Sequence, residues 1–108
     1  MVSNKEVAPA MNTRMPNDYS LESLDGRDGR GNVARAFGLV LRTARQEIGL
    51  SQDGLGERMG FDRTYPSLLE RGLRAPSLWM VLRFSEALNR APERLVADTV
   101  ALLRKEGL

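Results

Sequence analysis

Residues 51–72 constrain the fold more than any other stretch of this chain, because they contain two short helical patterns separated by only a few residues. Ser51 can accept a hydrogen bond from a free N–H group of a first helical turn, and Asp53 places negative charge where the helix dipole favours it. The pattern therefore predicts a helix that begins at Gln52 and ends near Met59, just before a glycine.

The second helix of this motif follows almost at once. Gly60 stands where a left-handed C-cap favours a residue without a side chain, Phe61 can fill the corner, and Asp62 can cap the next helix, which Gly72 ends. Two helices joined by so few residues must cross steeply. The start of the second helix is then exposed and able to enter the major groove of DNA, which is about 12 Å wide. Its apolar contacts are expected from Tyr65, Leu69 and, as a further candidate, Leu68.

A longer helical pattern precedes the motif. Asn32 can cap it, Gly49 ends it, and its apolar residues recur at a spacing of about 3.6. Residues 1–32 carry scattered Pro, Gly, Asn and Ser without such a period, which predicts a flexible N-terminal arm. The inward-facing residues of this first helix are expected to be Phe37, Val40, Leu41, Ala44 and Ile48. The arm is either a plain tether or a minor-groove contact made through Arg27, Arg30 and Arg35.

Two further helices are predicted after the motif. The fourth starts at Ala75 or Ser77 and stops at Asn89. Pro92 suits the first turn of a fifth helix, which runs to about Lys105. The inward-facing residues of the fourth helix are expected to be Leu78, Val81, Leu82, Ser85 and Leu88.

Length and composition limit the chain to one domain. A chain of 108 residues, 42% of them hydrophobic, builds one modest core, so we expect an all-α domain of five helices at residues 33–108 after the arm. The net charge of +2 is divided unevenly, since residues 1–31 hold four basic and five acidic residues, whereas residues 32–108 hold twelve and nine. All but two of the basic residues are arginine, which suits contacts to phosphate and guanine, although genomic base composition explains the same bias.

Several classes of site are excluded by the residues that the chain lacks. Without cysteine or histidine there are no disulfides, Cys/His zinc sites, Cys nucleophiles or His-based catalytic triads. No apolar run approaches the roughly 20 residues needed to cross a bilayer, and residues 1–15 lack the hydrophobic stretch of a secretion signal. We therefore expect no enzyme, no metal or cofactor, no membrane association, and a cytoplasmic, nucleoid-associated location.

The motif and its flanks carry a set of short marks at a defined spacing. They are Gly49-Leu50-Ser51-Gln52, Leu55, Met59-Gly60-Phe61, Arg63, Tyr65, Leu69-Glu70-Arg71-Gly72, Pro76-Ser77-Leu78 and Ala87-Leu88. Together they resemble the helix-turn-helix family of phage repressor and Cro-like regulators, the XRE family. The resemblance covers roughly residues 33–97 and implies a repressor-like DNA-binding domain that regulates transcription.

Five side chains are candidates for contact with bases or the adjacent DNA backbone. Arg63 and Thr64 occupy the exposed first turn of the second motif helix, where Arg63 can donate to guanine O6 and N7, and Thr64 can meet a thymine methyl group or a phosphate. Ser67 and Leu68 face outward one turn later, although Leu68 offers only apolar contact where many relatives have a polar side chain. The resemblance implies that Gln52 contacts the DNA backbone; an ordinary exposed polar residue is the alternative.

Three charged residues lie at the end of the same helix or just after it. Arg71 and Arg74 are expected to contact phosphates, which sets affinity and salt dependence rather than sequence preference; solubilising surface arginines are the alternative. Glu70 differs, since the resemblance implies a structural ion pair with Arg45 on the first helix. Removing one partner of a buried pair costs about 3–5 kcal/mol, so Glu70→Ala should unfold the domain.

Pro66 stands where the family usually has a branched aliphatic residue. With Asp62 as the cap, Pro66 is the fourth helical residue, whose N–H would make the first intrahelical bond. A proline also pushes the preceding Tyr65 away from helical angles. We therefore expect a distorted or shifted first turn with Thr64 as the cap, which alters the aim of Arg63.

Apolar side chains beyond the needs of one small core suggest a homodimer. The fourth helix carries Trp79, Met80 and Phe84, and such apolar surface needs a partner. The fifth helix adds a wide apolar stripe, formed by Leu95, Val96, Val100, Leu102 and Leu103. The interface is expected at Trp79, Val96, Val100 and Leu103; completion of the core is the alternative.

The leading hypothesis is a sequence-specific transcriptional regulator that binds double-stranded DNA as a homodimer. A two-fold dimer would bind a near-palindromic operator with half-sites about 34 Å apart. One alternative is an antitoxin or a partner-controlled protein-interaction module of the same fold, using Trp79, the fifth helix or the arm. A scaffold that does not bind DNA is another, and it predicts that Arg63→Ala and Arg71→Ala change nothing.

Overall fold

Five α-helices and no strand make up the described part of the chain, which comprises residues 21, 24 and 28–106 of the computed structural model. The helices are α1 (Gly29–Glu47), α2 (Gln52–Met59), α3 (Thr64–Glu70), α4 (Leu78–Leu88) and α5 (Pro92–Glu106). The predicted all-α fold is confirmed. Most of the predicted arm lies outside the described residues; so does Arg27, whereas Arg30 and Arg35 belong to α1. In the part described, no helix combines the length and apolar character needed to cross a membrane.

The first helix begins earlier than predicted. Asp28 is the N-cap of α1, and the N–H of Asn32 already donates to the Asp28 carbonyl at 2.9 Å. The backbone of Leu24 lies against this extra turn, so close to Gly29 that a Cβ there would stand 2.2 Å from the Leu24 carbonyl oxygen. The prediction of Asn32 as the cap is therefore wrong, and its side chain instead accepts a hydrogen bond from Arg35.

The end of α1 also departs from the prediction at one position. Ile48, expected in the core, is exposed because α1 ends at Glu47 and Gly49 turns the chain away with a left-handed φ of 69°. Leu50 packs against the core instead. Its N–H donates to the carbonyl of Arg45 at 3.1 Å, which closes the helix end.

The helices α2 and α3 form the tight two-helix unit expected from the sequence. The hydroxyl of Ser51 accepts a hydrogen bond from the backbone N–H three residues on at 2.9 Å, and Gly60 has the predicted left-handed φ of 79°. Gly56 allows the two helices to lie so close. A Cβ at Gly56 would lie 2.7 Å from the carbonyl oxygens of both Phe61 and Asp62, so a larger residue would push the turn away.

Pro66 does not distort α3. Arg63 is the N-cap, with φ −69° and ψ −14°, and the N–H of Ser67 makes the first intrahelical bond to the Arg63 carbonyl at 3.0 Å. Pro66 is therefore the third helical residue, one of those whose N–H has no partner within a helix. The start of α3 is shifted by one residue from the predicted cap Asp62, so the expected shift is confirmed. The cap is Arg63 and not Thr64, because Asp62 Oδ1 accepts a hydrogen bond from the Thr64 N–H at 2.9 Å.

The core is centred on Phe84, which is fully buried. Its ring centroid lies 6.1 Å from that of Phe37 in α1 and 6.5 Å from that of Tyr65 in α3, where the two rings are nearly parallel. Burying an aromatic side chain of this kind contributes about 1.5–3 kcal/mol. Phe84 therefore joins α1, α3 and α4 in one cluster.

The inward face of α4 is offset from the predicted one. Met80 and Phe84, expected at the surface, are buried, whereas Leu78 and Leu82, expected in the core, are exposed. The residues at 78–82 are all apolar, so helical periodicity alone is compatible with either face. The ring contacts of Phe84 favour the observed face.

The last helix, α5, packs against α1 and α4. Leu95 and Leu103 are buried, and so is Thr99, whose hydroxyl donates to the Leu95 carbonyl at 2.8 Å. The prediction of Leu103 at a dimer interface is wrong, because this side chain is only 3% exposed within one protomer. Its apolar contacts are already made inside the domain.

Candidate nucleic-acid interface

Arg63 and Thr64 form the exposed surface at the start of α3. The Arg63 side chain is 63% exposed, and Thr64 is exposed beside it. Ser67 and Leu68, one turn later, are half-buried, so they are less accessible than predicted. Arg63 and Thr64 are thus the more exposed of the four predicted residues of this helix.

A cleft of about 340 Å³ runs beside α3. It is lined by Phe61, Asp62, Thr64, Tyr65, Leu68 and Arg74. The ring of Phe61, expected to fill the corner between the helices, is partly exposed and lies 5.4 Å from that of Tyr65. With Leu68 these rings give the cleft an apolar lining, and Arg74 adds positive charge. This combination suits a thymine methyl group beside a phosphate.

Arg63 is held by neighbours that the sequence did not indicate. Its Nη2 donates to Gln52 Oε1 at 3.2 Å, and its Nε lies 4.0 Å from Asp53 Oδ1. Gln52 is half-buried, and its Nε2 donates to Glu70 Oε1 at 3.0 Å. No local pattern predicts these contacts, because the partners of Gln52 are 11 and 18 residues away along the chain.

The ion pair between Arg45 and Glu70 lies beneath this surface. Arg45 Nε donates to Glu70 Oε2 at 2.5 Å and Nη2 donates to Oε1 at 2.9 Å, while the two side chains are 11% and 3% exposed. The hydrogen bond to Glu70 raises the pKa of Arg45, although burial acts in the opposite direction. Arg45 Nη1 also donates to the Leu50 carbonyl at 2.8 Å, so the pair links α1, α3 and the start of α2.

Arg71 and Arg74 follow α3. Arg71 is the C-cap, and Gly72, with a left-handed φ of 74°, turns the chain into the loop that carries Arg74. Both arginines are exposed, as phosphate contacts require. Arg74 shares the cleft with Thr64, whereas Arg71 does not line it.

Two other arginines serve the fold. Arg58 Nη1 donates to the Ala87 carbonyl at 2.8 Å, and Arg83 Nη2 donates to the Met59 carbonyl at 2.9 Å, so they tie α2 to α4. The guanidinium of Arg83 also lies over the ring of Trp79, 5.3 Å from its centroid. The arginine excess of the sequence therefore includes residues whose side chains already bind within the domain.

Exposed apolar side chains cluster on α4 and α5. Trp79 and Val96, predicted at a dimer interface, are exposed, and Val100 is half-buried. Leu78 and Leu82, which the sequence assigned to the core, lie with them on this apolar face. Two grooves, of about 280 Å³ and about 520 Å³, are both lined by Leu78 and Val96.

Comparison with known proteins places the α2–α3 unit in a family. A family model described as a helix-turn-helix domain matches residues 36–98. An uncharacterized HTH-type transcriptional regulator of Methanothermobacter thermautotrophicus is 41% identical over 51 residues, which are 47% of this chain and 74% of that relative. A second one, from Sinorhizobium fredii, is 32% identical over 68 residues, which are 63% of this chain and 88% of that relative.

A solved structure is similar as well. The restriction-modification controller protein C.AhdI from Aeromonas hydrophila has a TM-score of 0.55 and 40% sequence identity, over 57% of this chain and 94% of that one. The matched family region contains α2, α3 and α4 and most of α1. The chain therefore belongs to the helix-turn-helix domain family, as a transcriptional regulator of the phage repressor and Cro-like, or XRE, type.

Proposed function

We propose that this protein binds a near-palindromic DNA operator as a homodimer and regulates transcription at the nucleoid. The observation that carries the proposal is the exposed Arg63 at the start of α3, with Thr64 beside it. A recognition helix contacts base edges with its N-terminal residues, and arginine donates to O6 and N7 of guanine.

The surroundings of α3 supply the other contacts. Arg71 and Arg74 bind phosphates, which positions α3 but adds no sequence preference. Thr64, Leu68 and Arg74 meet in one cleft, where a thymine methyl group and its neighbouring phosphate fit. Ser67 is half-buried and contributes through the same face of α3.

The dimer forms through the apolar face of α4 and α5. Leu78 and Val96 line two neighbouring grooves. Each protomer therefore offers both a ridge of apolar side chains and grooves that can accept the same ridge of a second copy. A two-fold contact requires such a self-complementary surface. Leu82 and Trp79 extend this face, and Val100 lines its inner edge.

Selection of bound duplexes from a random pool tests the proposal, followed by titration of the selected duplex across salt concentrations. We expect a near-palindromic sequence with half-sites about 34 Å apart. Arg63→Ala relaxes the preference at one base pair per half-site. Arg71→Ala weakens binding to all sequences and lowers the salt slope by about one.

Arg94→Ala is the matched control, because it also removes one exposed arginine but lies on α5, where its side chain pairs with Asp98. It should leave the salt slope and the selected sequence unchanged. If the pool yields no enriched sequence, or if Arg63→Ala and Arg94→Ala behave alike, the proposal fails.

A second candidate function is control by a protein partner, as in an antitoxin. It is favoured by Trp79, a large aromatic side chain that is 59% exposed, with Arg83 stacked on it. On this alternative, Trp79→Ala leaves the dimer and its DNA affinity intact but abolishes regulation of a reporter promoter in cells. If Trp79→Ala dissociates the dimer instead, Trp79 belongs to the homodimer interface.

A further inference from the structure

Two leucines that precede α1, Leu21 and Leu24, lie beside the apolar face of α4 and α5. The backbone N–H of Leu24 donates to the Leu21 carbonyl at 2.9 Å, which closes a turn between them. Both side chains of this N-terminal turn line the groove of about 280 Å³ that Leu78 and Val96 also line. The N-terminal turn therefore adjoins the proposed dimer face.

A close backbone contact with α1 holds the N-terminal turn in place. Gly29, the first residue of α1, is buried, and a Cβ built on it would stand 2.2 Å from the Leu24 carbonyl oxygen and 2.7 Å from its carbonyl carbon. Every residue other than glycine carries a Cβ, so only glycine permits this approach. Such a contact favours a fixed wall of the groove over a cover that is easily displaced.

The lining of the groove suits an apolar occupant. Part of it is formed by buried core side chains, Phe37, Val81 and Leu103. Thr99 is the one polar residue among the described residues that line the groove, and its hydroxyl donates to the Leu95 carbonyl at 2.8 Å. In the same part of the chain, no charged side chain lines it. A polar occupant would lose its hydration without gaining a partner, so the groove fits aliphatic side chains.

We propose that the N-terminal turn is part of the dimer interface, where Leu21 and Leu24 contact the apolar ridge of a second copy; this inference rests on the proposed function. The ridge residues Leu78 and Val96 are exposed in one protomer, and so is Leu24. A protomer that carries both an apolar ridge and an uncharged groove is self-complementary, as a two-fold contact requires. The second copy covers ridge, groove and turn together.

The N-terminal turn extends this interface beyond the helix-turn-helix region. The matched family region begins at residue 36, whereas both leucines precede α1. Under two-fold symmetry, each dimer contains two such turns, so one substitution removes the contact twice. A change at Leu24 should therefore have a clear effect on the dissociation constant of the dimer.

Sedimentation equilibrium of the full chain tests the proposal with wild type, Leu24→Ser and Leu39→Ser. We expect Leu24→Ser to raise the dimer dissociation constant about tenfold, which corresponds to about 1.4 kcal/mol. Leu39→Ser is the matched control, because Leu39 is 46% exposed and Leu24 is 45% exposed, but Leu39 lines neither groove. It should dimerise as wild type does. An unchanged dissociation constant for Leu24→Ser would overturn the inference, and so would a lower one, which would show that the turn obstructs the second copy.

Gly29→Ala is a second variant, which keeps both leucines in the chain. Its added methyl group must displace the backbone of Leu24 from α1, so the dissociation constant should again rise about tenfold. Gly31→Ala is the control on the same helix, since a Cβ there would meet only the Arg35 side chain, at 3.5 Å. Alanine favours a helix more than glycine does, so both variants should keep α1. A wild-type dissociation constant for Gly29→Ala would show that the position of the turn does not matter, and the inference would be wrong.

An NMR measurement on dimers mixed from labelled and unlabelled protomers locates the contact directly. We expect intermolecular NOEs from the methyl groups of Leu21 and Leu24 as well as from those of Leu78 and Val96. Intermolecular NOEs from Leu78 and Val96 alone would overturn the inference and leave the proposed dimer intact. A wild-type protein that stays monomeric at every concentration would instead contradict the proposed dimer itself, and the inference with it.

Discussion

Gly38 of α1 lies directly against the carbonyl of Leu69 in α3: a Cβ on Gly38 would stand 2.3 Å from that oxygen and 2.8 Å from the carbonyl oxygen of Glu70. The two helices therefore touch through their backbones at this point. We expect Gly38→Ala to separate α1 from α3 and to lower the free energy of unfolding by about 1–3 kcal/mol, the usual cost of overpacking.

Denaturant unfolding checks this expectation, with Gly31→Ala as the control on the same helix. A Cβ on Gly31 would meet only the end of the Arg35 side chain, at 3.5 Å. Because alanine is a better helix former, Gly31→Ala should be neutral or stabilising by up to about 1 kcal/mol. Equal stability of the two variants would contradict the backbone contact.

The ion pair between Arg45 and Glu70 should be indispensable for folding. Glu70→Ala leaves the Arg45 guanidinium largely buried without its carboxylate, so we expect a loss of about 3–5 kcal/mol in unfolding free energy. Glu86→Ala is the control, since Glu86 is 80% exposed and its nearest contact to Arg83 is 3.9 Å. Exposed pairs contribute about 0–1 kcal/mol. Thermal melting of both variants tests this prediction. Similar melting temperatures would refute a structural role for the buried pair.

Pro66 should stabilise α3 rather than strain it. The ring is fully buried and sits where a helix has no N–H to satisfy, so Pro66→Ala loses packing and also loosens the unfolded chain. We expect a loss of about 1 kcal/mol or more in unfolding free energy. The sign of the change in unfolding free energy is the informative result. If Pro66→Ala stabilises the protein, the start of α3 is strained by the proline.

The apolar face of α4 and α5 should control the oligomeric state. Val96→Asp places a charge on that face, and we expect a monomer by sedimentation at concentrations where wild type is a dimer. Leu39→Asp is a matched control, because Leu39 and Val96 are each 46% exposed, but Leu39 lies on α1, outside both grooves. If Val96→Asp and Leu39→Asp are both monomeric, the added charge itself causes dissociation, wherever it is placed.

Local signals in the sequence predicted the ends of the central helices well. Ser51 and Ser77 accept the expected capping hydrogen bonds, and Gly60 and Asn89 adopt left-handed backbone angles at helix ends. Each of these features depends on a residue type within one helical turn of its effect, so a single sequence contains the necessary information.

Contacts between distant residues were harder to predict. The inward face of α4 depends on Phe84 meeting Phe37 and Tyr65, which lie 47 and 19 positions earlier in the chain. Helical spacing within residues 78–82 does not distinguish the two possible faces. The contact of Gln52 with Glu70 was missed for the same reason, because the two residues are 18 positions apart. Gln52 was expected to bind DNA, whereas its side chain also binds a buried carboxylate.

The paired arginine bonds between α2 and α4 have a mechanical consequence. Arg58 of α2 reaches a carbonyl at the end of α4, and Arg83 of α4 reaches a carbonyl at the end of α2, so each helix end is anchored by the other helix. A large rotation of one helix against the other would strain both bonds. We therefore expect a displacement of α4 to displace α2 as well and, through the short turn, α3, which would couple the apolar face of α4 and α5 to the exposed surface at Arg63 and Thr64.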